Sequence, residues 1–539
     1  MRRRFGQRLG LAGLFVVLTV AATWPQARYL GSQATPHQDV YFNMWRLEWF
    51  AHALATFPTR LFDANIFYPQ TRTLAYSDAM PLEGMIASPM VWAGLRPVLV
   101  HNLMLLGAIC GSGLAMFALA RYLTGSRGAA VLAGIVFAFA PYRFEHFMHM
   151  ELQWAMWTPL AFLALHRTLD TGQWKYGIAT GLCVALQMLS SIYYGIFLAT
   201  LLGLGALLFI VGDRKVALSR AVLPLAAGAA LAAAISAVYA IPYLRVHDRV
   251  GDRPEHEIAA FSARPSSYLT APPGNWLYGY TAGPRNGPER RLFPGAIPIF
   301  LAIIGLLLRV PSRRALVYLI LLAAAFEASL GVGGYVYSFL HEHVQAYRGL
   351  RASARLGIFV LMFLAVLAAY GYAVLAEGRR VTIRAALLGA LALGLLVEYR
   401  TSPALVAFPS VAPPIYKMLA HLPRGVVAEF PVPRANSLPG DDAKYAYMST
   451  FHWFPLVNGY SGMFPPSYLA RLERLQAFPD LRSLVQLRQD NVTYVIVHEA
   501  AFPGESLPGL RDRISASGAF VQLGVFDDAD GRAVLFRLW

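Results

Sequence analysis

The sequence contains few charged residues and almost no cysteine. Only 14% of its 539 residues are charged, whereas 57% are hydrophobic and the mean hydropathy is +0.46. A soluble protein is about one quarter charged, so this deficit excludes an ordinary soluble protein. The two cysteines, Cys110 and Cys183, lie inside apolar runs and predict neither a disulfide nor a metal site. No stretch matches a nucleotide-binding Gly-rich loop, a zinc site or a serine-hydrolase nucleophile elbow.

The net charge of +16 does not predict nucleic-acid binding. The arginines stand in short clusters between hydrophobic runs, which is how the positive-inside rule of membrane proteins is written in a sequence. We therefore predict a multi-pass protein of the inner (plasma) membrane, with membrane lipid and no nucleic acid among its partners.

Hydrophobic runs of roughly 17–25 residues predict about eleven transmembrane helices. The first follows a basic N-terminus and is interpreted as a retained helix rather than a cleaved signal peptide. The predicted spans are Leu9–Trp24, Val98–Leu119, Ala129–Ala140, Trp154–Leu169, Tyr176–Ser190, Ile192–Val211, Ala221–Tyr243, Leu292–Leu308, Ala315–Leu330, Leu356–Leu375 and Ile383–Val397.

The basic clusters also predict the orientation of the chain. With the N-terminus in the cytoplasm, the short turns that carry Arg or Lys are cytoplasmic and the long loops are external. The predicted cytoplasmic turns are Arg121–Arg127, His166–Lys175, Asp213–Arg220, Arg309–Arg314 and Glu377–Arg384. The predicted external loops are Pro25–Pro97, Tyr142–Gln153, Leu244–Arg291 and Gly331–Arg355.

The composition changes near Tyr399, where prolines and charges become frequent. Strands are predicted beyond it over three short runs: Val426–Phe430, Tyr494–Val497 and Ala519–Val525. The predicted fold class is an α-helical polytopic membrane protein with a C-terminal α/β extracytoplasmic domain. Its predicted domains are residues 1–399, with a first external loop at 25–97, and residues 400–539.

The first external loop carries Asp39 ahead of an aromatic run, Val40–Leu54. Aromatic residues interleaved with Arg46, Glu48 and His52 predict an amphipathic helix that lies in the membrane interface. A carboxylate at its start can act as a general base or hold a divalent cation against a phosphate. It can also be the N-cap of the helix, and composition alone favours the cap.

Asp78 and Glu83 form a second acidic group in the same loop. Asp78 precedes Met80 and Pro81, so it too can cap a helix, with Glu83 in the first turn. A functional role requires Asp78 to fold back toward Asp39. The two carboxylates would then be the candidate ligands of a divalent metal, Mg²⁺ or Mn²⁺, and the spacing leaves metal dependence open.

Polar residues beyond the third predicted span form a further candidate group. Glu145 and His149 are four residues apart and would share one face of a helix, beside His146. Histidines and acids here can bind metal or relay a proton, although their spacing matches no strong metal signature. A solvated face of an interfacial helix is the equal alternative.

Several arginines on the external side run against the positive-inside trend. Arg348, Arg351 and Arg355 precede a span, and the last two would share a helix face. Because the guanidinium fork matches a phosphate, we predict a phosphate-binding role; snorkelling at a helix end is the alternative. Arg264 is a further candidate, in the loop Leu244–Arg291, which is long enough to form a lid.

This layout resembles the C-type (GT-C) polytopic membrane glycosyltransferases, in particular the protein mannosyltransferase-like and aminoarabinose transferase-like groups. The resemblance covers roughly residues 9–399 and includes a first span, a Trp-rich helix after an early external Asp39, and the segment Asn65-Ile66-Phe67-Tyr68-Pro69. It implies that Asp39 is the essential acid of the first loop, that Asp78 is the second acid, and that Glu145 is the acid after the third span. The sequence lacks the adjacent acidic pair that many members carry in this loop.

The resemblance implies a hexosyl- or pentosyltransferase that moves a sugar from a polyprenyl-phosphate donor to an envelope glycan, lipid or protein on the outer face. Asp39 and Asp78 would then be catalytic. The predicted substrate-binding residues are His37, Glu83, Glu145, His146, Arg264, Arg348, Arg351 and Arg355. Two alternatives stay open: a transporter or flippase of a lipid-linked substrate, and a non-catalytic envelope assembly protein. A transporter would favour inverted repeats and charges near the bilayer midplane.

Overall fold

The computed structural model describes residues 2–211, 220–284, 286–308, 311–502, 507–528 and 531–539. Parts of the predicted turns Asp213–Arg220 and Arg309–Arg314 lie outside these residues. The chain forms two compact units, of which the first is Met1–Leu30, Asn102–Tyr239 and Asp252–Leu405. The second is Gly31–His101, Ala240–Gly251 and Val406–Trp539. The first external loop thus groups with the C-terminal segment, while the domain boundary after residue 399 stays a prediction.

Most of the chain is α-helical. In chain order the described helices are α1 (Arg2–Ala22), α2 (Gln38–Thr56), α3 (Pro81–Trp92), α4 (Pro97–Thr124), α5 (Arg127–Phe139), α6 (Pro141–Glu145), α7 (Met150–Gln153), α8 (Trp157–Thr171), α9 (Trp174–Ser190), α10 (Ile192–Val211), α11 (Val222–Val250), α12 (Glu255–Ala260), α13 (Ala296–Leu308), α14 (Arg313–Ser329), α15 (Tyr335–His343), α16 (Gln345–Arg348), α17 (Gly357–Ala376), α18 (Val381–Glu398), α19 (Pro414–Ala420), α20 (Asp442–Met448), α21 (Pro466–Leu475), α22 (Leu481–Gln489) and α23 (Leu507–Ala516).

The strands all belong to the second unit. They are β1 (Gln33–Ala34), β2 (Val406–Ala407), β3 (Val426–Phe430), β4 (Val492–His498), β5 (Phe520–Asp528) and β6 (Gly531–Leu538). β1 pairs with β2, and the other four form a sheet in the order β3-β4-β6-β5, in which β3 and β4 are parallel and the remaining pairs antiparallel. The predicted C-terminal α/β fold is therefore confirmed, with β6 as an additional strand.

Several helices are suited to crossing a membrane. Within the described residues, six helical segments are long and apolar enough to do so: Pro97–Thr124, Arg127–Glu145, Ile192–Val211, Val222–Val250, Ser353–Ala376 and Val381–Glu398. Leu9–Ala22 and Ala296–Leu308 are shorter apolar helices. The remaining predicted spans fall on α8, α9 and α14, which have 15, 17 and 17 residues. The multi-pass helical architecture is confirmed, and the number of eleven spans stays a prediction.

Two helices of the first unit approach each other at glycines. A Cβ atom on Gly181 of α9 would overlap the carbonyl oxygen of Gly228 in α11, and one on Gly177 would overlap the carbonyl oxygen of Pro224. Gly177 and Gly181 are one helical turn apart, so they form a small-residue strip along α9. Apolar helices use such strips to bring their backbones into contact, because lipid gives little hydrophobic drive for helix association.

We expect Gly181→Ala to destabilise the first unit. The added methyl group has no room against Gly228, so α9 and α11 must separate, at a cost of about 1–3 kcal/mol for an overpacked site. Thermal unfolding of the purified chain in detergent measures this cost. Gly203→Ala in α10 is the matched control, since its Cβ would meet no atom within 4 Å. Equal melting temperatures for the two variants would contradict the close packing.

The aromatic helix α2 is buried within the second unit, which corrects the prediction of a helix in the membrane interface. Trp45 is fully buried and Trp49 is 2% exposed, and their indole nitrogens donate to Asn65 Oδ1 (3.2 Å) and to the carbonyl oxygen of Leu61 (2.8 Å). The helix packs on α3 and α20. Its aromatic side chains therefore contact protein on several sides, where a helix in the interface would leave one face to lipid.

The segment Asn65–Pro69 pairs with the C-terminal part of the chain. The amides of Phe67 and Tyr68 donate to the carbonyl oxygens of Asn458 (3.0 Å) and Leu456 (2.9 Å), and the amide of Leu456 donates back to the carbonyl oxygen of Asn65 (2.7 Å). These backbone bonds extend the loop along a segment that itself bonds to Val427 of β3. They explain why residues 31–101 and 406–539 fold as one unit.

Candidate active site

Asp39 lies in the first turn of α2 and is held by a tyrosine of the C-terminal segment. Tyr460 Oη donates to Asp39 Oδ1 at 2.5 Å, and the Asp39 side chain retains 18% of its exposure. Asp39 is not the N-cap: that residue is His37, whose Nδ1 accepts the Asp39 amide at 3.1 Å. The capping alternative for Asp39 is therefore wrong. The positive end of the helix dipole favours its negative charge.

His37 contacts two different groups of Asp39. Its Nδ1 lies 3.1 Å from the amide nitrogen of Asp39 and 3.3 Å from Oδ2 of the same residue. Nδ1 must be unprotonated to accept the amide, and in that state it forms no ion pair with the carboxylate. The cap is the better-formed contact of the two, so His37 positions the start of α2.

Asp78 meets α2 at Arg46. The Arg46 guanidinium donates to the main-chain carbonyl oxygen of Asp78 and to Asn43 Oδ1. Arg46 is seven residues beyond Asp39, or about 10 Å along the helix axis. Asp78 is not a cap either, because α3 begins after Met80, which has a left-handed backbone. Glu83 is completely buried in the first turn of α3, as predicted for a residue facing the dipole.

A divalent metal has no evident ligand set in the described part of the chain. No group of three or more His, Cys, Asp or Glu side chains is placed to hold an ion there. Asp39 contacts Tyr460 through a carboxylate oxygen, whereas the described contact of Asp78 with Arg46 is made by the main-chain carbonyl oxygen of Asp78. Asp39 and Asp78 therefore stay candidate metal ligands by prediction alone.

The first unit contains a buried ionic network around Glu289. Arg355 donates through Nε (3.0 Å) and Nη2 (2.8 Å) to Glu289 Oε1. His146 Nε2 lies 3.6 Å from Glu289 Oε2, and its Nδ1 lies 3.2 Å from His149 Nδ1. Glu145 accepts from Arg291 Nη1 at 2.6 Å. The predicted residues Glu145, His146 and Arg355 are thus all ion-paired or hydrogen-bonded within one unit.

Burial and charge act in opposite directions on these groups. Burial alone would raise the pKa of Glu289, but the charge and hydrogen bonds of Arg355 outweigh it and lower that pKa from 4.5 to about 2. Burial lowers the pKa of His146 to about 3, so His146 is neutral at pH 7. The guanidinium groups of Arg355 and Arg291 thus face the carboxylates of Glu289 and Glu145, and Glu151 also acts electrostatically on Arg355. The network therefore has no excess positive charge to offer a phosphate.

A second group in the first unit does carry excess positive charge. Arg351 Nη1 lies 3.1 Å from Glu257 Oε1, and Arg253 Nη1 lies 3.2 Å from the same oxygen. The Arg351 side chain keeps 32% of its exposure and stacks over Phe261 at 5.0 Å. Tyr193 joins the two groups: its hydroxyl accepts the Arg351 amide at 3.0 Å, and its ring lies 4.8 Å below Arg355. We call Arg253, Glu257 and Arg351 the Glu257 trio.

Two predictions of a shared helix face are wrong, for Glu145 with His149 and for Arg351 with Arg355. α6 ends at Glu145 and α7 starts after His149, so those two residues share no helix. Arg351 precedes the short 3-10 helix that contains Arg355, so these arginines bind different carboxylates rather than one helix-face ligand. Arg348 is exposed and caps the end of α15 through the carbonyl oxygens of His341 and Glu342. Arg264 is also exposed, in a turn closed by Ser267.

Sequence reasoning did not select the partners of these residues. Glu257, Glu289, Arg253 and Arg291 lie in the long loop Leu244–Arg291 and bind residues up to 146 positions away. The composition could have indicated these residues. Acidic residues are scarce in this chain, and in a membrane protein such residues are usually paired or functional. These pairs connect the loop to other residues of the first unit. The described residues of the loop form no separate lid.

The chain matches one family model. Residues 9–396 match the model described as "Domain of unknown function (DUF6311)". The chain belongs to this family. The match covers the helices of the first unit together with most of the first-loop segment, so both Asp39 and the Glu257 trio lie within the DUF6311 region. No curated protein matches the chain.

Two solved proteins are similar in structure to this DUF6311 member. The oligosaccharyltransferase of Archaeoglobus fulgidus, solved with zinc and sulfate, is 14% identical with a TM-score of 0.50, over 97% of this chain and 72% of that chain. ArnT of Cupriavidus metallidurans in the apo state is 14% identical with a TM-score of 0.48, over 99% and 98% of the two chains. The likeness to the oligosaccharyltransferase shows that the two chains share a fold, as the predicted resemblance implied.

Proposed function

We propose that this chain is an integral-membrane glycosyltransferase that moves a sugar from a polyprenyl-phosphate donor to a hydroxyl of an envelope glycan, lipid or protein. Its fold, shared with an oligosaccharyltransferase, supports this class of reaction. The observation that carries the proposal is Asp39, a partly exposed carboxylate held by Tyr460 at 2.5 Å. The reaction takes place on the outer face of the plasma membrane, with the N-terminus in the cytoplasm and the C-terminal domain outside.

Asp39 is assigned as the general base. The acceptor hydroxyl attacks the anomeric carbon, its proton passes to a carboxylate oxygen of Asp39, and the bond from that carbon to the phosphate oxygen of the lipid breaks. A single displacement inverts the anomeric configuration. Tyr460 binds Oδ1, and this hydrogen bond fixes the carboxylate in one orientation toward the acceptor. Asp78 is kept as a second candidate, with Glu83 and His37 behind it.

The Glu257 trio is assigned to the phosphate of the lipid. Within the trio two guanidinium groups share one carboxylate, so the group has one net positive charge to stabilise the negative charge that grows on the leaving phosphate. Arg351 is the more exposed of the two arginines and is therefore the better candidate for direct contact. Arg355, with Glu145 and His146, belongs to the Glu289 network, which has no excess positive charge, and is proposed to hold the backbone around Tyr193 in place.

We expect Arg351→Gln to weaken the handling of the lipid donor. Loss of one charge-assisted hydrogen bond to phosphate costs about 1.5–3 kcal/mol, or roughly tenfold to a hundredfold in kcat/KM for the donor. The measurement is transfer by purified protein at increasing donor concentration. Arg400→Gln is the control, because Arg400 is an exposed arginine of the same unit. If a folded Arg351→Gln variant keeps the wild-type kcat/KM for the donor, Arg351 does not bind the lipid phosphate.

The transferase class is tested in cells that lack the chain. A transferase deletion removes one sugar from an envelope glycan, lipid or protein, and wild-type protein restores it. A flippase deletion instead accumulates the lipid-linked intermediate on the inner leaflet, and loss of a non-catalytic assembly protein leaves the individual sugar linkages intact. Mass spectrometry of envelope glycans and of lipid-linked sugars distinguishes these outcomes, and only the first supports the proposal.

A further inference from the structure

A large basic cavity lies at one end of the helices of the first unit. It encloses about 1290 Å³ and is lined by the ends of α4, α13 and α17 and by the starts of α5, α14 and α18. Five arginines and one acidic residue contribute to its wall: Arg121, Arg127, Arg313, Arg314, Arg384 and Glu377. These residues come from three of the turns predicted to be cytoplasmic, so the three turns lie together on one side of the bundle.

The charge of this cavity is only partly compensated. Arg314 pairs with Asp170, which also accepts from Tyr122 Oη at 2.6 Å. Arg313 donates to the carbonyl oxygens at the end of α10, at 2.6 Å to Phe209. In the described part of the chain, no hydrogen bond or ion pair engages the guanidinium of Arg121 or Arg384. Among the described residues of the cavity wall and their ion-pair partners, five guanidinium groups stand against two carboxylates, those of Glu377 and Asp170.

Helix starts add to the positive potential at the same place. Ser126 and Ser312 cap α5 and α14 through their hydroxyl groups, which accept the amides of Ala129 (3.3 Å) and Ala315 (3.2 Å). The remaining first-turn amides of these helices carry partial positive charge. Together with the arginines, these amides surround a space that favours an anion with several oxygen atoms.

The other wall of the cavity is apolar. Leu306 of α13, Leu367 of α17 and Leu388 of α18 line it. The apolar helix α18 is mostly unburied: only 11% of it packs inside the protein. A ligand that fits both walls has an anionic head and a hydrocarbon tail. We propose that this cavity binds the phosphate headgroup of an anionic phospholipid, with its acyl chains along α13 and α18. Basic pockets between membrane helices are suited to such headgroups.

The positive-inside rule alone explains why arginines stand on this side, but it does not require them to surround a cavity. Arg379 and Arg380 belong to the same turn as Glu377 and Arg384 and lie outside the cavity wall. They offer a matched comparison: equal charge on the same side of the bundle, without access to the proposed site.

The test is lipid binding by the full chain, purified in detergent and measured by native mass spectrometry. Phosphatidylglycerol, phosphatidylcholine of the same acyl chains, and inorganic phosphate are the probes. We expect phosphatidylglycerol to bind at least about tenfold more tightly than phosphatidylcholine, and the double variant Arg121→Gln/Arg384→Gln to lose about tenfold or more of that affinity. Arg379→Gln/Arg380→Gln is expected to bind as the wild type does, and millimolar phosphate is expected not to compete.

Three results would overturn the proposal. Equal binding of the two lipids would show that no anion is selected, and equal weakening by both double variants would show an effect of surface charge alone. Competition by inorganic phosphate would show a site for a free anion. Arg384→Gln alone, at an exposed position of α18, repeats the test in a variant with one change, and a thermal melt checks that each variant is folded.

Discussion

Asp39→Asn is expected to lower sugar transfer by a factor of about 10²–10⁴, which is the usual contribution of a general base. The amide keeps the shape of the side chain, and its oxygen can still accept the hydrogen bond from Tyr460 Oη. The amide cannot take the proton of the acceptor hydroxyl. The loss is therefore expected in kcat, with the KM for the donor little changed, because donor binding does not use this carboxylate.

The matched control for Asp39 is another carboxylate of the same loop. Asp63 Oδ1 accepts the amide of Arg72 at 2.9 Å, a turn contact that an Asn oxygen also makes. Asp63→Asn is therefore expected to transfer sugar at the wild-type rate. The readouts are the envelope glycan profile of a complemented deletion strain and the thermal melt of the purified chain. Wild-type transfer by a folded Asp39→Asn protein would end the assignment of Asp39 as base.

Tyr460→Phe separates positioning from proton transfer at the same site. This variant keeps the carboxylate of Asp39 and removes the donor to Oδ1. A hydrogen bond to the charged form favours that form, so its loss makes the carboxylate more basic. We expect a smaller loss of activity than in Asp39→Asn, together with a pH–rate profile whose acidic limb moves to higher pH. A profile that does not move would assign Tyr460 a packing role only.

Local sequence patterns predicted the helices and strands well, because these patterns depend on neighbouring residues. Each predicted span falls on a helix, and the strands at Val426–Phe430 and Tyr494–Val497 were found from their β-branched runs. β6 was not predicted. Its four central residues are all buried, so the alternation that marks a half-buried strand is absent.

Local sequence patterns could not predict whether lipid or protein surrounds α2. Trp45 and Trp49 predict a helix with a large apolar face, but lipid and protein interior favour the same side chains. Some partners of this helix lie about 400 residues along the chain, as the bond from Tyr460 to Asp39, with a separation of 421 residues, illustrates. The cap was assigned to Asp39 because carboxylates are common caps, but the Nδ1 of a neutral histidine also accepts a hydrogen bond, and His37 makes the cap in the structure.

Arg355 shows why the candidate site was only partly predicted. Its charge and its place before a span were visible, and they suggested phosphate binding. Its partner Glu289 is 66 residues away, and no period of a helix or strand relates two such positions. The carboxylate partner of each arginine decides whether its charge is available to a phosphate. The charge of Arg355 is balanced by Glu289, whereas Arg351 shares the single carboxylate of Glu257 with Arg253. The phosphate role is therefore assigned to Arg351 instead of Arg355.

Glu289→Gln is expected to destabilise the first unit by about 3–5 kcal/mol, the usual cost of removing one partner of a buried ion pair. Arg355 is 7% exposed and would keep its charge without the carboxylate that it binds directly. The melting temperature in detergent measures the effect. Asp527→Asn is the control, since its pair with Arg532 is largely exposed and such a pair is worth no more than about 1 kcal/mol.

A second variant distinguishes the lost charge from lost packing. In Glu289→Leu/Arg355→Met both charges are replaced by apolar groups, so no charge is buried alone. Replacement of a whole buried pair in this way is often neutral or stabilising. We expect the double variant to melt closer to the wild type than Glu289→Gln does. If it melts lower still, the shape of the network, rather than its charge balance, stabilises this part of the unit.

The pH dependence gives an independent measure of the same pair. The pKa of Glu289 is lowered in the folded chain from 4.5 to about 2, so the carboxylate stabilises the fold above pH 4.5 and this contribution is lost as the pH falls toward 2. The amide in the Glu289→Gln variant cannot titrate and resembles the protonated acid. The difference in stability between wild type and Glu289→Gln should therefore be constant near pH 7 and narrow as the pH falls below 4.5. A difference that does not narrow in this range would mean that Glu289 and Arg355 do not form the charged pair from which the Glu289 network is built.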